Sequence, residues 1–324
     1  MTSAAAITFV AVAFVGISAA AETSAEPERQ YEWDGVSRIV SVGDVHGAFD
    51  NLVRILQTAD LIGDNRKWIG GNAHLVQNGD IVDRGPDSRK AMDLLMKLEE
   101  QAADAGGAVH VLIGNHEAMN IVGILDLVSD EEFSSYTDRD SRRRRDNAFD
   151  AYYDELRRKA RENDEPTQSR SGAKREFEEE YPLGYIEHRH AFAADGRYGT
   201  WITGLNATIR INGIIFSHGD WSERFSELGI AEVNSRVRKE LRGELPLEDG
   251  VTFDSESPLQ YRGWANTPML GSAANPELPT VERILENLSA SRMVVGHTTT
   301  EGIIEPRFGG RHISIDTGML PLYK

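Results

Sequence analysis

Three polar blocks, each placed just after a short apolar run, constrain this chain more than any other feature. Arg38-Ile39-Val40-Ser41-Val42 leads into Gly43-Asp44-Val45-His46-Gly47, and His74-Leu75-Val76-Gln77 leads, past Asn78, into Gly79-Asp80-Ile81-Val82-Asp83-Arg84-Gly85. Val109-His110-Val111-Leu112-Ile113 leads into Gly114-Asn115-His116-Glu117. The stretches between them have a helical period. Leu52, Ile55, Leu56 and Ala59 share one face of 49–59, and Ala91, Leu94, Leu95 and Leu98 share one face of 88–103. This strand and helix alternation predicts parallel strands joined by right-handed crossovers. In such folds functional groups gather beyond the carboxyl ends of the strands, where all three blocks lie.

The alternation stops near Val128. Residues 128–198 are dense in charge, with Arg142-Arg143-Arg144-Arg145, Arg157-Arg158-Lys159 and Glu178-Glu179-Glu180. Phe149, Tyr152, Tyr153 and Leu156 recur at helical spacing there, so this stretch reads as a helical insertion or lid. Its arginine run reads as a solvated helix face beside Asp140 and Asp146, with docking of an anionic substrate as the alternative. Strands are expected to resume at Thr200-Trp201-Ile202, Ala207 to Ile211 and Gly213 to Ser217, the last ending at His218-Gly219-Asp220. Helical sequence covers much of Ser222 to Leu241. Arg292 to Val295 then runs into Gly296-His297-Thr298, and strands at Gly302 to Glu305 and His312 to Ile315 close a second sheet. The expected fold class is a mixed α/β sandwich.

Composition excludes some functions. A formal net charge of −17 argues against a nucleic-acid partner, because polyanion binding relies on basic surface. With no cysteine there are no disulfides, no thiolate metal ligands and no cysteine nucleophile. Ala4 to Ala21 is apolar and ends in small residues, Ser18-Ala19-Ala20-Ala21, suited to a signal peptidase, although a basic region ahead of it is missing. Residues 1–21 therefore read as a signal peptide or an N-terminal membrane anchor, 22–33 as a linker and 34–324 as the catalytic domain. Periplasmic or secreted placement follows from cleavage, with no membrane span in the mature chain.

The side chains in the blocks suit metal chemistry. Asp44 and His46 stand two apart and can turn toward one ion, and Asp80 can bridge two ions with its two oxygens. Asn115 offers an amide oxygen, and His218 and His297 offer imidazole nitrogens from two further strand ends. Oxygen and nitrogen donors without sulfur suit Mn²⁺, Fe²⁺ or Zn²⁺. Two such ions side by side can activate water against a phosphate ester. His116 is the candidate acid for the leaving group, with Asp83 orienting its ring. Arg84 and Arg262 are candidate forks for phosphate oxygens. His110, His188, His190 and His312 read as structural or surface residues, Glu117 as a support for its own loop, and Met92, Leu95 and Met96 as core.

The three blocks together resemble the signature of the phosphoprotein phosphatase (PPP) family of metallophosphoesterases, and Gly296-His297-Thr298 resembles its late histidine motif. The motif order, Tyr261-Arg262-Gly263-Trp264 and the export-like amino terminus are most similar to the Shewanella-like phosphatase branch. This resemblance covers roughly Ile39 to Met319 but carries no diagnostic residues in the insertion. It implies a β-sandwich flanked by helices, a dinuclear centre, and the metal, acid and clamp roles just given to Asp44, His46, Asp80, Asn115, His218, His297, His116, Asp83, Arg84 and Arg262. The implied activity is hydrolysis of phosphomonoesters, with phosphoproteins as the substrate class, by a metal-bridging hydroxide; the alternative is a dinucleoside polyphosphate or other nucleotide substrate. His297 is followed by Thr298 and not by a second histidine, which sides with the PPP branch. One departure stands out: Asp220 occupies a position where that family has glycine, and it is expected to bring a carboxylate near the site.

Overall fold

The computed structural model describes residues 29–267 and 275–323. The expected signal or anchor segment, 1–21, lies outside the described residues, as does most of the expected linker. The folded body begins at Tyr31, inside the stretch expected to be linker. Strand β1 (Glu32–Trp33) pairs with a later strand through Glu32 and Trp33, so backbone pairing claims these residues for the domain.

Strands β2 (Ile39–Val42), β3 (His74–Gln77) and β4 (Ala108–Val111) form a parallel sheet, with helices α1 (Phe49–Thr58) and α2 (Ser88–Asp104) as the crossovers. Val42 stands opposite Gln77, and Gln77 opposite Val111, so the three strands end level and release their blocks side by side. Most of the helical faces read from the sequence is buried, with Leu52, Leu56, Ala91, Leu95 and Leu98 fully enclosed, but Ile55 on the first face is exposed. Each buried leucine contributes about 1.5–3 kcal/mol of transfer free energy. Helix α3 (Asn115–Val122) starts within the third block.

The second sheet has the order β1, β5 (Thr208–Ile211), β6 (Ile214–Ser217), β7 (Arg292–Val295), β9 (His312–Ser314), β8 (Glu305–Arg307). Strands β5 and β6 form a hairpin through Asn212 and Gly213, both at positive φ, the geometry a two-residue turn of this type requires. Ser217 stands opposite Val295 in the parallel β6/β7 pair, so the chain leaves toward His218 and His297 at one level. Alternation along the strands splits their side chains between two faces. Val76, Leu112, Ile209, Ile211, Phe216 and Val294 pack together from both sheets, while Ile215, Met293 and Val295 join the larger core with residues of α10 (Ile230–Leu241) and α11 (Leu278–Asn287). Asn78 stitches the sheets at their carboxyl ends, donating from Nδ2 to the carbonyls of Ser217 and Val294, each at 3.0 Å.

The charged stretch is largely helical, as α4 (Asp130–Ser135), α5 (Ser141–Glu162), α6 (Arg170–Glu180) and α7 (Tyr185–Phe192) joined by short loops. Phe149, Ala173 and Phe177 give it a small core of its own. Its arginine run is only partly a solvated face. Arg144 pairs with Asp138 and Glu187, and Arg145 with Glu178, tying α5 to its neighbours.

Two local expectations need correction. Thr200-Trp201-Ile202 lies in helix α8 (Arg197–Ile202), not a strand. Its β-branched and aromatic residues favour strands locally, but Tyr198, Gly199 and Ile202 are buried at helical spacing, and tertiary packing overrides propensity. The helical sequence expected over much of Ser222 to Leu241 is borne out as α9 (Glu223–Leu228) and α10, which meet at Gly229 (φ 80°). The strand expected over Gly302 to Glu305 begins only at Glu305.

Candidate active site

The block after β2 is laced onto the block after β3. The amides of Val45 and His46 both donate to the Asp80 carbonyl at 2.9 Å, and that of Gly47 to Ile81 at 2.8 Å. Glu117, in the first turn of α3, accepts from the amides of Asp80 (2.8 Å), Ile81 (2.7 Å) and Gly114 (2.8 Å), which bears out its reading as a support. His46, Asp80, Asp83, Arg84 and His297 all hold left-handed backbone conformations. Such strain in non-glycine residues persists only where the surroundings over-determine it, and it clusters at functional sites.

Two aspartates are presented in the same way. Asp80 accepts from the His116 amide with Oδ1 at 3.0 Å, and Asp44 accepts from the His297 amide with Oδ1 at 3.0 Å. Each of these oxygens fills the space of a missing side chain: a Cβ on Gly114 would lie 2.3 Å from Asp80 Oδ1, and one on Gly296 would lie 2.3 Å from Asp44 Oδ1. Glycine at these two positions is therefore a condition of the carboxylate placement.

The second oxygen of Asp80 is a hub. Its Oδ2 lies 3.3 Å from His218 Nε2, 3.6 Å from His46 Nε2 and 3.7 Å from His116 Nε2. Asp44 Oδ2 is 3.8 Å from His46 Nε2, and Asn115 Oδ1 is 2.9 Å from His218 Nε2. Two triads able to hold an ion share this hub, His46–Asp80–His116 and Asp80–His218–His297. The far ring nitrogens fix the tautomers, with His46 Nδ1 2.9 Å from the Val82 carbonyl and His218 Nδ1 2.9 Å from that of Asn78, leaving each Nε2 to the cleft.

Electrostatics oppose one another here. Burial, with Asp316 and Asp80 adding to it, pushes the Asp44 carboxyl well up. For Asp80 burial also pushes upward, but His218 and His116 outweigh it and hold the carboxyl well below its usual range. His218 would be pushed down by burial, yet Asp80 and Asp44 lift it to about 9. Burial, aided by His218 and Arg262, takes His297 down to about 2, and burial takes His46 to about 4. Carboxylates and imidazoles packed this closely away from water, with oxygen and nitrogen donors only, fit divalent cations.

Charged donors flank the hub. Arg84 Nη1 lies 2.7 Å from His46 Nε2 and its Nη2 3.2 Å from His116 Nε2. Arg262 reaches the opposite end, donating to the His297 carbonyl and lying 3.2 Å from His297 Nδ1 through Nη2. His116 Nδ1 is 2.5 Å from Asp83 Oδ2, so its Nε2 faces the cleft. Thus the ten residues singled out from the sequence converge on one cleft.

The profile of calcineurin-like phosphoesterases matches residues 37–300. The chain belongs to that family. It is accordingly a metal-dependent phosphoesterase. Among its relatives, the Shewanella-like protein phosphatase 1 of Plasmodium berghei is 26% identical over 89% of this chain and 68% of its own length. Shewanella-like protein phosphatase 2 of Arabidopsis thaliana is 27% identical over 96% of this chain and 79% of its own. The crystal structure of a cold-active protein-tyrosine phosphatase from a psychrophilic Shewanella superposes with a TM-score of 0.64, at 25% identity over 91% of this chain and 74% of that one.

Within this calcineurin-like fold, one expectation is overturned. Asp220 does not join the cluster: its Oδ1 lies 2.6 Å from His312 Nε2, and its Oδ2 accepts from the amides of Trp264 (2.7 Å) and Ala265 (3.0 Å). Backbone donors from a distant loop have captured the carboxylate. Sequence reasoning also missed Asn120, which donates to Asp83 Oδ1 at 2.8 Å. Its position four residues after His116 on one helix was the available signal. Asn78 had no such signal, since its partners come from both sheets.

Proposed function

We propose that this chain hydrolyses phosphomonoesters, with phosphoprotein side chains as the substrate class, at a centre of two divalent ions. The observation that carries this reading is Asp80 Oδ2 standing within 3.3 to 3.7 Å of three imidazoles. Asp80 is common to two clusters able to hold an ion, so it would serve both; in the first of them His116 is held at Nδ1 by Asp83 and is assigned to the proton instead. Asp44, His46, Asp80, Asn115, His218 and His297 would hold the ions, drawn from Mn²⁺, Fe²⁺ or Zn²⁺. When bound, such ions polarise phosphoryl oxygens and acidify water.

The chain's own residues supply the rest. Arg84 and Arg262 bind phosphate oxygens from the two ends of the cleft as planar, permanently charged forks. Burial disfavours charge on His116, but Asp80 and Asp83 outweigh it and raise its affinity for a proton. His116 therefore keeps a proton on Nε2 and delivers it to the departing oxygen, a role worth about 10²- to 10⁴-fold in rate. Asp83 holds the ring, and Asn120 holds Asp83.

The choice of phosphoprotein over nucleotide rests on two relatives that match along most of this chain and are named protein phosphatases. Export with cleavage of 1–21, to a periplasmic or secreted location, completes the proposal. Among the described residues no helix is long and apolar enough to cross a membrane.

The test couples metal analysis of the purified protein with a panel of phosphopeptides, dinucleoside polyphosphates and aryl phosphates under added Mn²⁺. Preference for the nucleotides would overturn the substrate class. Near-zero turnover of every compound with several metals would overturn the activity. In ¹⁸O-water, label must enter inorganic phosphate within a single turnover; a trapped phospho-residue would exclude direct attack by water.

A further inference from the structure

We propose that Asp220 is the positioning residue for Arg262, an inference that rests on the phosphatase reading of the cleft. Asp220 and its partner His312 are buried, at 1% and 0% exposure. Asp220 grips the loop on both sides of Arg262. Its amide donates to the Tyr261 carbonyl at 2.9 Å, and its Oδ2 accepts from the amides of Trp264 and Ala265. Its neighbours complete the seat: the Gly219 amide donates to the Pro258 carbonyl at 2.6 Å, and Trp264 Nε1 donates to the Trp221 carbonyl at 2.7 Å. The approach is close enough that a Cβ on Gly219 would meet the Tyr261 carbonyl oxygen at 2.9 Å.

This seat stands two residues beyond His218, on the chain leaving β6. The same short segment therefore places a candidate metal ligand and the backbone that carries Arg262. From that backbone the guanidinium reaches His297. A long, flexible arginine is a useful phosphate fork only if its main chain is held, since each added freedom must be surrendered when substrate binds. His312 fixes the carboxylate in turn. Its Nδ1 is buried without a hydrogen-bond partner, so the proton belongs on Nε2, which donates to Asp220 Oδ1. Both carboxylate oxygens are thereby engaged.

The test compares D220A, D220N, H312A, R262A and the double variant D220A/R262A, using para-nitrophenyl phosphate as substrate and inorganic phosphate as inhibitor. D220A should raise KM and the phosphate inhibition constant about tenfold while kcat changes by less than about threefold, a split that a loss of folded molecules does not produce. D220N keeps an acceptor for the two amides but sets its NH2 against His312, whose buried Nδ1 has no partner to take the proton, so it should fall between D220A and the parent. The double variant should be no weaker than R262A, because residues acting through one another are not additive. Metal content should be unchanged. In metal-stripped protein, amide exchange over 258–265 should accelerate in D220A and H312A. If D220A does not fold, H312A carries the test, with a KM raised about threefold. Additive losses, metal loss at unchanged KM, or unchanged exchange would each overturn the assignment. A silent R262A would overturn the clamp itself, whereas an impaired R262A beside a normal D220A would overturn only the positioning.

Discussion

His116 Nδ1 lies 2.5 Å from Asp83 Oδ2, and both side chains are buried, so the ring has one orientation and one face open to the cleft. The carboxylate raises the proton affinity of the imidazole against the effect of burial. D83N removes that charge while keeping the shape. The expected outcome is a basic limb of the kcat–pH profile moved to lower pH, with kcat down about tenfold or more. H116N should lose about 10²- to 10⁴-fold in kcat and the basic limb with it. Steady-state profiles across pH 5–10 check both.

Asp80 serves both ligand triads, whereas Asn115 stands beside His218 alone. D80N should therefore drop the bound metal from about two ions per chain to one or fewer, and N115A should cost one site only. Elemental analysis after exhaustive dialysis distinguishes these outcomes. Chelation of the parent should abolish activity, and added Mn²⁺ should restore it.

Glu117 accepts four buried amides from two different blocks, that of Val82 at 3.4 Å the longest. E117A strands those donors, each at a cost of about 1–3 kcal/mol, so a loss of about 3 kcal/mol or more is expected in denaturant unfolding. E117Q retains one acceptor oxygen and should fall between. A near-parental midpoint for E117A would contradict the support role.

Glu132 reaches from α4 to Ser88, with Oε2 2.7 Å from Ser88 Oγ, and burial near Asp83 raises its carboxyl from 4.5 to about 8. The unfolded chain loses this proton first as pH rises. Stability from this group is thus full below pH 4.5, declines as pH climbs toward 8, and levels off above it. The total is on the order of a few kcal/mol. E132Q mimics the protonated form and should flatten that decline. Thermal unfolding of parent and variant at pH 5 and pH 9 measures the difference.

Much of the cleft was legible because its residues follow strands whose ends the apolar runs mark. Asp44, Asp80 and Asn115 each come one or two residues into a block, and parallel pairing brings such blocks together regardless of loop detail. Thr200-Trp201-Ile202 was misread because three residues carry propensity but not the neighbours that bury them. Glu32 and Trp33 were assigned to a linker because their partners, Arg210 and Ile211, lie far along the chain. Asp220 shows the limit most clearly. As a residue type two places after His218 it reads as a carboxylate near the site.

By itself the sequence determined the chemistry available: which donors exist, that thiolate is absent, and which strand ends carry each group. Those facts depend on local pattern, and hydrophobic period and motif spacing encode local pattern well. Only the tertiary structure decided where each side chain points. It turned Asp80 Oδ2 toward three imidazoles and turned Asp220 toward His312, 92 residues away in the chain. The reason is physical: a buried carboxylate goes to whichever donors spare it an unpaired lone pair, and those donors arrive from segments that only folding brings together.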